Sequence, residues 1–191
     1  MARRDSQVTD PVASSVPTAL GDEIRRVIRD IRDFPKPGIV FNDITPLLAD
    51  AALFRKVTTA MAEPFTGSGI THVVAIESRG FLLGAPVALE LGAALVPVRK
   101  PGKLPSTTAS VEYALEYGSD RLEIHDDACD ERARVLIVDD VLATGGTAIA
   151  AGDLVRGRGA MLVAYSFLMT LSFLPGERRL AGTTVHRLVR Y

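Results

Sequence analysis

The sequence has 191 residues, of which 47% are hydrophobic and 24% are charged. This composition is that of one globular domain rather than that of a disordered or coiled-coil chain. The single cysteine, Cys129, excludes a disulfide framework. Because 22 basic residues balance 23 acidic ones, the net charge is -1 and does not favour nucleic acid or an anionic membrane. An anionic ligand therefore needs a local binding site.

The N-terminal residues 1–17 are polar and contain no apolar core of a signal peptide. We predict that they form a disordered leader and that residues 18–191 form a single domain. Two apolar stretches, 80–98 and 159–176, approach the length of a membrane span. Glycines and prolines interrupt the first, and hydroxyl residues and a proline interrupt the second, so we expect soluble helix and strand segments and a cytoplasmic protein.

Hydrophobic periodicity predicts two helices in the first third of the chain. Apolar side chains at positions 24, 27, 28 and 31 share one face of a helix over residues 23–31. Asp50 is suited to cap a second helix that runs from Ala51 to about Glu63. The proline-rich segment 34–38 between them cannot continue a helix and is predicted to be a loop.

Apolar runs alternate with helix-like segments through much of the remaining chain. Strands are predicted at 72–76, 94–98, 135–138 and 161–164, and helices at 81–91 and 147–156. Strands that are apolar throughout and alternate with helices are typical of an α/β fold, with a central twisted parallel sheet flanked by helices. Ligands of such sheets bind beyond the carboxyl ends of the strands.

An antiparallel hairpin interrupts this alternation. Residues 110–117 and 121–124 have strand character and flank the turn-forming residues 118–120. A long polar connection precedes them, and loops of that length are more often functional than mere spacers. We predict that residues 100–125 form a small, flexible hood inserted into the domain.

The most informative stretch covers residues 135–147. A buried strand emerges into Asp139 and Asp140, and a Thr-Gly-Gly-Thr turn at 144–147 then opens a helix. Glycine amides, threonine hydroxyls and a helix N-terminus together favour a phosphate. The two acids suit sugar hydroxyls or a metal bound through water. The stretch therefore predicts a ribose 5-phosphate site, and the alternative is an ordinary strand–turn–helix corner with two solvated aspartates.

Other phosphate and metal motifs fail. The sequence has no Gly-x-x-x-x-Gly-Lys-Ser/Thr motif, and Gly157-Arg158-Gly159 follows a helix rather than a strand. The histidines His72, His125 and His186 lack metal-ligand spacing and a serine partner, so each is predicted to be structural or exposed.

The run from Asp139 to Thr147 resembles the phosphoribosyl pyrophosphate motif of the type I phosphoribosyltransferase family. Three further stretches, found in the same order, are similar to its adenine-specific members: 34–47, 77–81, and 99–105 with 115–118. The resemblance covers about Ile24 to Tyr191. It implies the family's fold and the Mg²⁺-dependent transfer of ribose 5-phosphate from 5-phospho-α-D-ribose 1-diphosphate to N9 of adenine. The products are AMP and diphosphate in purine salvage, and the resemblance also implies a homodimer that binds neither nucleic acid nor membrane.

The resemblance also assigns roles to residues. Phosphoribosyl pyrophosphate would be held at its 5-phosphate by Ala143, Thr144, Gly145, Gly146 and Thr147, at its ribose by Asp139 and Asp140, and at its diphosphate by Ser78, Arg79, Arg99, Lys100 and Lys103. Adenine would contact Val40, Phe41 and Asn42, and Glu116 on the hood would be the general acid/base at adenine N7. No direct protein ligand to the metal is implied, although Asp139 could reach it through water.

Other readings of these residues stay open on the sequence alone. The basic residues fit an ordinary solvated cluster, Glu116 an exposed hairpin glutamate, and Phe41 a core aromatic. By the same resemblance the Glu77–Ser78 peptide is expected to be cis. Two positions depart from the family pattern, since Asn42 stands where arginine is common and Thr170 where many members have an acid.

Two other functions are weighed against this one. The first is a phosphoribosyltransferase-fold regulator that binds nucleotide without catalysis. The second is a transferase for hypoxanthine, guanine or orotate. The basic residues and Glu116 argue against the regulator, and the proline-rich segment from Phe34 to Phe41 argues against another base.

Overall fold

The computed structural model describes residues 18–114 and 118–191. In chain order the elements are α1 (Thr18–Val27), β1 (Arg29–Arg32), β2 (Val40–Asp43), α2 (Thr45–Ala49), α3 (Ala51–Ala62), a short 3-10 helix (Glu63–Phe65), β3 (His72–Ile76), α4 (Arg79–Leu91), β4 (Ala94–Val98), β5 (Thr108–Ala114), β6 (Ser119–His125), β7 (Arg134–Leu142), α5 (Gly146–Gly157), β8 (Met161–Thr170), α6 (Gly176–Arg179) and β9 (Thr184–Arg190).

The centre of the fold is a parallel sheet of five strands in the order β4-β3-β7-β8-β9. Successive side chains of a strand point to opposite faces, and Val73 and Val74 accordingly enter two different apolar cores. Helices α1, α3 and α4 cover one face, whereas α5 and strand β6 cover the other. The predicted α/β fold with both faces of a parallel sheet covered is confirmed.

The first predicted helix is too long. Helix α1 ends at Val27, and residues 29–32 instead form β1, which pairs antiparallel with β2. Ile24 and Ile28 are buried as the periodicity requires, so the apolar pattern is correct and its assignment to one helix is wrong. The second helix is confirmed, because the Asp50 carboxylate accepts hydrogen bonds from the amides of Ala52 and Leu53.

Two strands extend further than predicted. Strand β7 continues to Leu142, so Asp139 and Asp140 lie within its last residues rather than after it. Strand β8 continues to Thr170 where a loop was predicted. Its polar residues do not end the strand because they find partners, as the Ser166 hydroxyl donates to the Met61 carbonyl at 3.0 Å. Strand β9, which closes the sheet, was not predicted.

The predicted hairpin is present as strands β5 and β6, which pair antiparallel. Ser119 and Asp120 were predicted to form the turn but belong to β6, opposite Ala114 and Tyr113. The predicted strand residues 115–117, Glu116 among them, lie outside the described residues. Within residues 18–114 and 118–191, no helix is both long and apolar enough to span a membrane.

Candidate active site

Three stretches that are far apart in sequence meet at one edge of the sheet because β4, β3 and β7 are neighbours in it. Their carboxyl ends enclose a cavity of about 490 Å³. The cavity lies where ligands of parallel sheets bind. Its lining residues come from the loop after β3, the loop after β4, and the segment from the end of β7 into α5: Glu77, Ser78, Arg79, Lys100, Asp139, Asp140, Val141, Leu142, Ala143, Thr144, Gly145, Gly146, Thr147 and Ala148.

The turn between β7 and α5 forms the floor of this cavity, and we call residues 143–147 the phosphate loop. Gly145 precedes α5 with φ of 84°, a left-handed conformation that favours glycine. The loop then enters a helix of 12 residues, whose first amides have no partners inside the helix. All five residues predicted to hold a phosphate line the cavity. Such an arrangement of amides and helix N-terminus is suited to an anion.

The two aspartates lie next to the phosphate loop. Asp140 is only 3% exposed, and its amide donates a 2.9 Å hydrogen bond to Asp139 Oδ1. Arg79 Nε lies 2.8 Å from Asp140 Oδ2, in an ion pair that is not aligned as a hydrogen bond. Gly80 allows α4 to begin here, because a Cβ atom at that position would sit 2.9 Å from Asp139 Oδ1.

Burial raises the pKa of both carboxyls. For Asp139 the negative charge of Asp140 adds to this effect and raises the pKa further. The Arg79 guanidinium opposes the rise at Asp140 and so favours its ionised form. Asp139 is therefore the acid of the pair that more readily holds a proton.

The same arginine connects the aspartates to the residues predicted to contact adenine. Arg79 Cζ lies 4.8 Å from the centre of the Phe41 ring, and Phe34 packs edge-to-face on that ring at 5.2 Å. Phe41 is thus half-buried beside the site and is not a core aromatic. Val40 is 53% exposed, and Asn42 Nδ2 donates a 2.9 Å hydrogen bond to Asp30 across the β1–β2 pair.

The predicted diphosphate-binding residues fall into two groups. Ser78, Arg79 and Lys100 line the cavity, and the Glu77–Ser78 peptide is cis as expected. Arg99 does not line it, because its Nε donates to Glu77 Oε2 at 2.9 Å and its NH1 donates to the Lys103 carbonyl at 3.1 Å.

The remaining two basic residues face different surroundings. The Lys100 ammonium group is bonded to Asp120 and also donates to the Tyr113 hydroxyl at 3.0 Å. The Lys103 side chain is exposed. Glu116, the predicted general acid/base, lies outside the described residues, so its position relative to the cavity is left as a prediction.

The histidines do not enter the site. His72 and His125 lie at strand ends away from the cavity lining, and His186 is buried with its Nε2 donating to the Ala60 carbonyl at 3.1 Å. In the described ranges no group of three or more His, Cys, Asp or Glu side chains could hold a metal ion.

Several contacts of the site were not predicted. Glu77 lines the cavity and holds Arg99. Helix α6 packs against the phosphate loop, as Arg179 NH1 donates to the Thr144 carbonyl at 2.9 Å. The sequence signal for α6 is weak, because a Pro-Gly pair followed by charged residues is typical of many exposed turns.

A comparison of sequences agrees with this site, in which the phosphate loop, two aspartates at a strand end and the basic residues Arg79 and Lys100 meet at one edge of a parallel sheet. The profile of the phosphoribosyl transferase domain matches residues 44–170, about two thirds of the chain. The chain therefore belongs to the phosphoribosyltransferase family, and the homologues described next are pentosyltransferase enzymes.

Its relatives in that family are adenine phosphoribosyltransferases. The enzyme of that name from Myxococcus xanthus is 54% identical over 181 residues, which cover 95% of this chain and 98% of the relative. The crystal structure of the enzyme from Thermoanaerobacter pseudethanolicus is 50% identical, has a TM-score of 0.87, and is matched over 89% of this chain and 99% of that one. The enzyme from Saccharomyces cerevisiae, complexed with an imino-altritol bisphosphate and adenine, is 41% identical with a TM-score of 0.85, over 90% and 99% of the two chains. Within the family, the chain is placed among the adenine phosphoribosyltransferases.

Proposed function

We propose that the protein transfers ribose 5-phosphate from 5-phospho-α-D-ribose 1-diphosphate to N9 of adenine and releases AMP and diphosphate. The observation that carries the proposal is the continuous path from Phe41 through Arg79 and Asp140 to the phosphate loop. Arg79 contacts both the Phe41 ring and the Asp140 carboxylate. A base, a ribose and a phosphate in that order span the same three positions.

The described residues would divide the binding of phosphoribosyl pyrophosphate. Amides and hydroxyls of residues 143–147 would hold the 5-phosphate, and the ionised carboxylate of Asp140 would accept hydrogen bonds from ribose hydroxyls with Asp139 beside it. Arg79 contacts both Asp140 and Phe41. The ribose and the base would therefore displace the Arg79 side chain from these two residues when they bind. The released guanidinium would then face the diphosphate, together with Ser78 and Lys100.

The reaction breaks the bond between ribose C1 and the diphosphate oxygen and forms the bond from C1 to adenine N9. Electrons of the broken bond leave with the diphosphate, while positive charge develops on the ribose. Positive side chains at the leaving group stabilise that separation. Arg79 and Lys100 line the cavity and suit this role. We assign Arg99 and Lys103 to the same role.

At the base, the Phe41 ring would stack on adenine, and the backbone at Val40 and Asn42 would read its edge. The Asn42 side chain is engaged with Asp30, which supports a backbone contribution at this position. Glu116 on the hood would hydrogen-bond adenine N7 and, as the general base, accept the ring proton from N7 while N9 bonds to ribose C1. Closure of the hood would exclude water, which competes with adenine as nucleophile.

The residues present fit a Mg²⁺ ion that binds mainly to the substrate. Mg²⁺ keeps several waters and is usually held by one or two carboxylates and by substrate phosphates. Asp139 and Asp140 provide carboxylates at the cavity, and the described residues contain no larger cluster of metal-ligating side chains. Asp139 would hold the ion through water. When bound, the ion would supply positive charge that neutralises the departing diphosphate.

We also propose that the protein is a cytoplasmic homodimer. Helix α4 exposes the apolar side chains of Leu82 and Leu89, which are 48% and 83% exposed, on one side of the molecule. Covering such side chains is a common reason for association. Light scattering after gel filtration tests this, and a monomeric mass at micromolar concentration would contradict it. Cell fractionation tests the location.

The function is tested by offering the protein Mg²⁺, phosphoribosyl pyrophosphate and one base at a time. We expect AMP from adenine and much slower turnover of hypoxanthine, guanine and orotate. Faster turnover of another base would identify a different transferase. Tight binding of AMP without turnover of any base would instead identify a nucleotide-binding regulator.

A further inference from the structure

The segment after β8 contacts the phosphate loop from the side opposite the cavity. Three successive carbonyls at the end of β7 and in the loop each accept a hydrogen bond from it. The Leu142 carbonyl accepts from the Leu171 amide at 3.0 Å, and the Ala143 carbonyl accepts from the Gly176 amide at 3.1 Å. The Thr144 carbonyl accepts from Arg179 NH1 at 2.9 Å. The profile match to the family ends at residue 170, so these donors lie beyond it.

These contacts determine where the loop amides point. In a planar trans peptide, the C=O group and the following N–H group lie on opposite sides of the bond. Since the Ala143 and Thr144 carbonyls point to α6, the N–H groups of Thr144 and Gly145 point away from α6. Both residues line the cavity. Two successive amides oriented alike form the concave arrangement that binds anions.

The approach of α6 requires two glycines. A Cβ atom on Gly176 would lie 2.3 Å from the Ala143 carbonyl oxygen, which is too close for any side chain. A Cβ atom on Gly145 would lie 3.2 Å from Gly176 Cα. The loop and α6 are therefore fitted backbone to backbone, and Arg179 adds the only side-chain hydrogen bond that the described residues provide to the Thr144 carbonyl.

Glu177 fixes α6 to the sheet. Its Oε1 accepts a 2.8 Å hydrogen bond from Thr170 at the end of β8 and lies 3.1 Å from Arg187 Nε. Its Oε2 accepts a 2.5 Å hydrogen bond from Arg190 NH2. Thr170 therefore takes part in this network through its hydroxyl group.

We infer that Arg179 is a positioning residue for the reaction, which orients the Thr144–Gly145 peptide so that its amide faces the 5-phosphate. The inference rests on the proposed function, in which the loop holds that phosphate. Arg179 does not line the cavity itself, so it acts through the loop. Gly176 permits the same contact, and Glu177 holds the helix that carries both residues.

The experiment compares the affinities of AMP and adenine, measured by calorimetry, in the wild type and in Arg179→Ala. The matched control is Arg178→Ala, which removes the same charge from an exposed neighbour. We expect Arg179→Ala to weaken AMP about tenfold, the effect of one hydrogen bond to a charged group. Adenine affinity and the melting temperature should not change, and Arg179→Lys should restore part of the AMP affinity.

Unchanged AMP affinity in Arg179→Ala would overturn the positioning role, and so would an equal loss in Arg178→Ala, which would indicate a long-range charge effect. An equal loss for adenine would also overturn it, because a general structural defect has no preference for the phosphate. A wild-type protein that binds adenine but not AMP would overturn the proposed function together with this inference. Gly176→Ala, which forces the Ala143 carbonyl to move, should weaken AMP at least as much as Arg179→Ala, and unaltered AMP affinity would contradict the inference independently.

Discussion

The two sides of the cavity offer different groups to an anion, backbone amides on one side and basic side chains on the other. On one side the phosphate loop offers backbone amides, and hydrogen bonds from α6 and from the segment after β8 hold the loop in place. On the other side the basic lining residues already hold protein carboxylates, since Lys100 is paired with Asp120 and Arg79 with Asp140. Arg99, which does not line the cavity, is likewise paired with Glu77.

The difference has a chemical consequence. An oriented amide has no paired carboxylate to displace, so under the proposed function the 5-phosphate would meet a site that is already formed. A paired cation would have to exchange its carboxylate for the diphosphate, which would lower the net gain from that contact. The ribose 5-phosphate stays with the nucleotide product, whereas the diphosphate must leave. Weak, exchangeable contacts on the leaving side fit this asymmetry.

The largest effect is expected at the hood. Glu116→Leu should lower kcat by at least about 100-fold, the low end of general acid–base contributions, while AMP still binds. Steady-state kinetics and calorimetry on the same preparation measure the two quantities. Glu112→Leu on the exposed side of β5 is the control and should turn over normally. Normal turnover of Glu116→Leu would remove Glu116 from the mechanism.

The ribose acids test whether the phosphate loop is independent of its neighbours. The double variant Asp139→Asn with Asp140→Asn replaces charge-assisted hydrogen bonds to the ribose by neutral ones, so ribose 5-phosphate should bind about 100-fold more weakly. Inorganic phosphate, which needs only the loop, should keep its affinity in the same calorimetric series. An equal loss of affinity for both ligands would show that the phosphate loop is not preformed independently of the two aspartates.

A smaller effect is expected at Lys100. Asp120→Asn removes the charge that competes for its ammonium group, so diphosphate should bind about threefold more tightly, in keeping with a partly exposed ion pair. The gain should disappear at high salt. Asp127→Asn, an exposed acid just after the same strand, is the control for net charge. Weaker binding of diphosphate in Asp120→Asn would mean that Asp120 positions Lys100 instead of competing for it.

The sequence was sufficient for the parts of this site that depend on local chemistry. The phosphate loop, the acids before it and the parallel sheet are encoded in contiguous runs, whereas the adjacency of β4, β3 and β7 was not predicted. The partners of charged side chains could not be predicted from the sequence, because Arg99 and Glu77 are 22 positions apart and Arg179 and Thr144 are 35 positions apart. The end of α1 was missed for a related reason, since pairing of β1 with β2 overrides a helical period.

The smallest effect is expected at β9. Its Arg187 and Arg190 contact Glu177, so this strand supports only the phosphate side of the cavity. On this strand His186 is buried, and burial lowers its pKa below the usual value for histidine. The hydrogen bond that its Nε2 donates to the Ala60 carbonyl partly opposes this effect and raises the pKa. Arg187 further lowers the pKa, while Glu63 raises it.

The folded protein therefore binds fewer protons at this site than the unfolded chain once the pH falls below about 6.5. Stability should be fully present above that pH and should decrease on acidification, by at most about 1.4 kcal/mol per pH unit for one proton. Urea unfolding at a series of pH values measures the slope, and His186→Gln, which keeps a donor for Ala60, should reduce it. His72→Gln at a half-buried strand end is the control. If acidification below about pH 6.5 weakens the binding of inorganic phosphate in the wild type, and weakens it less in His186→Gln, then β9 supports the phosphate side locally. If acidification changes only the global stability, then both sides of the cavity depend on the same sheet.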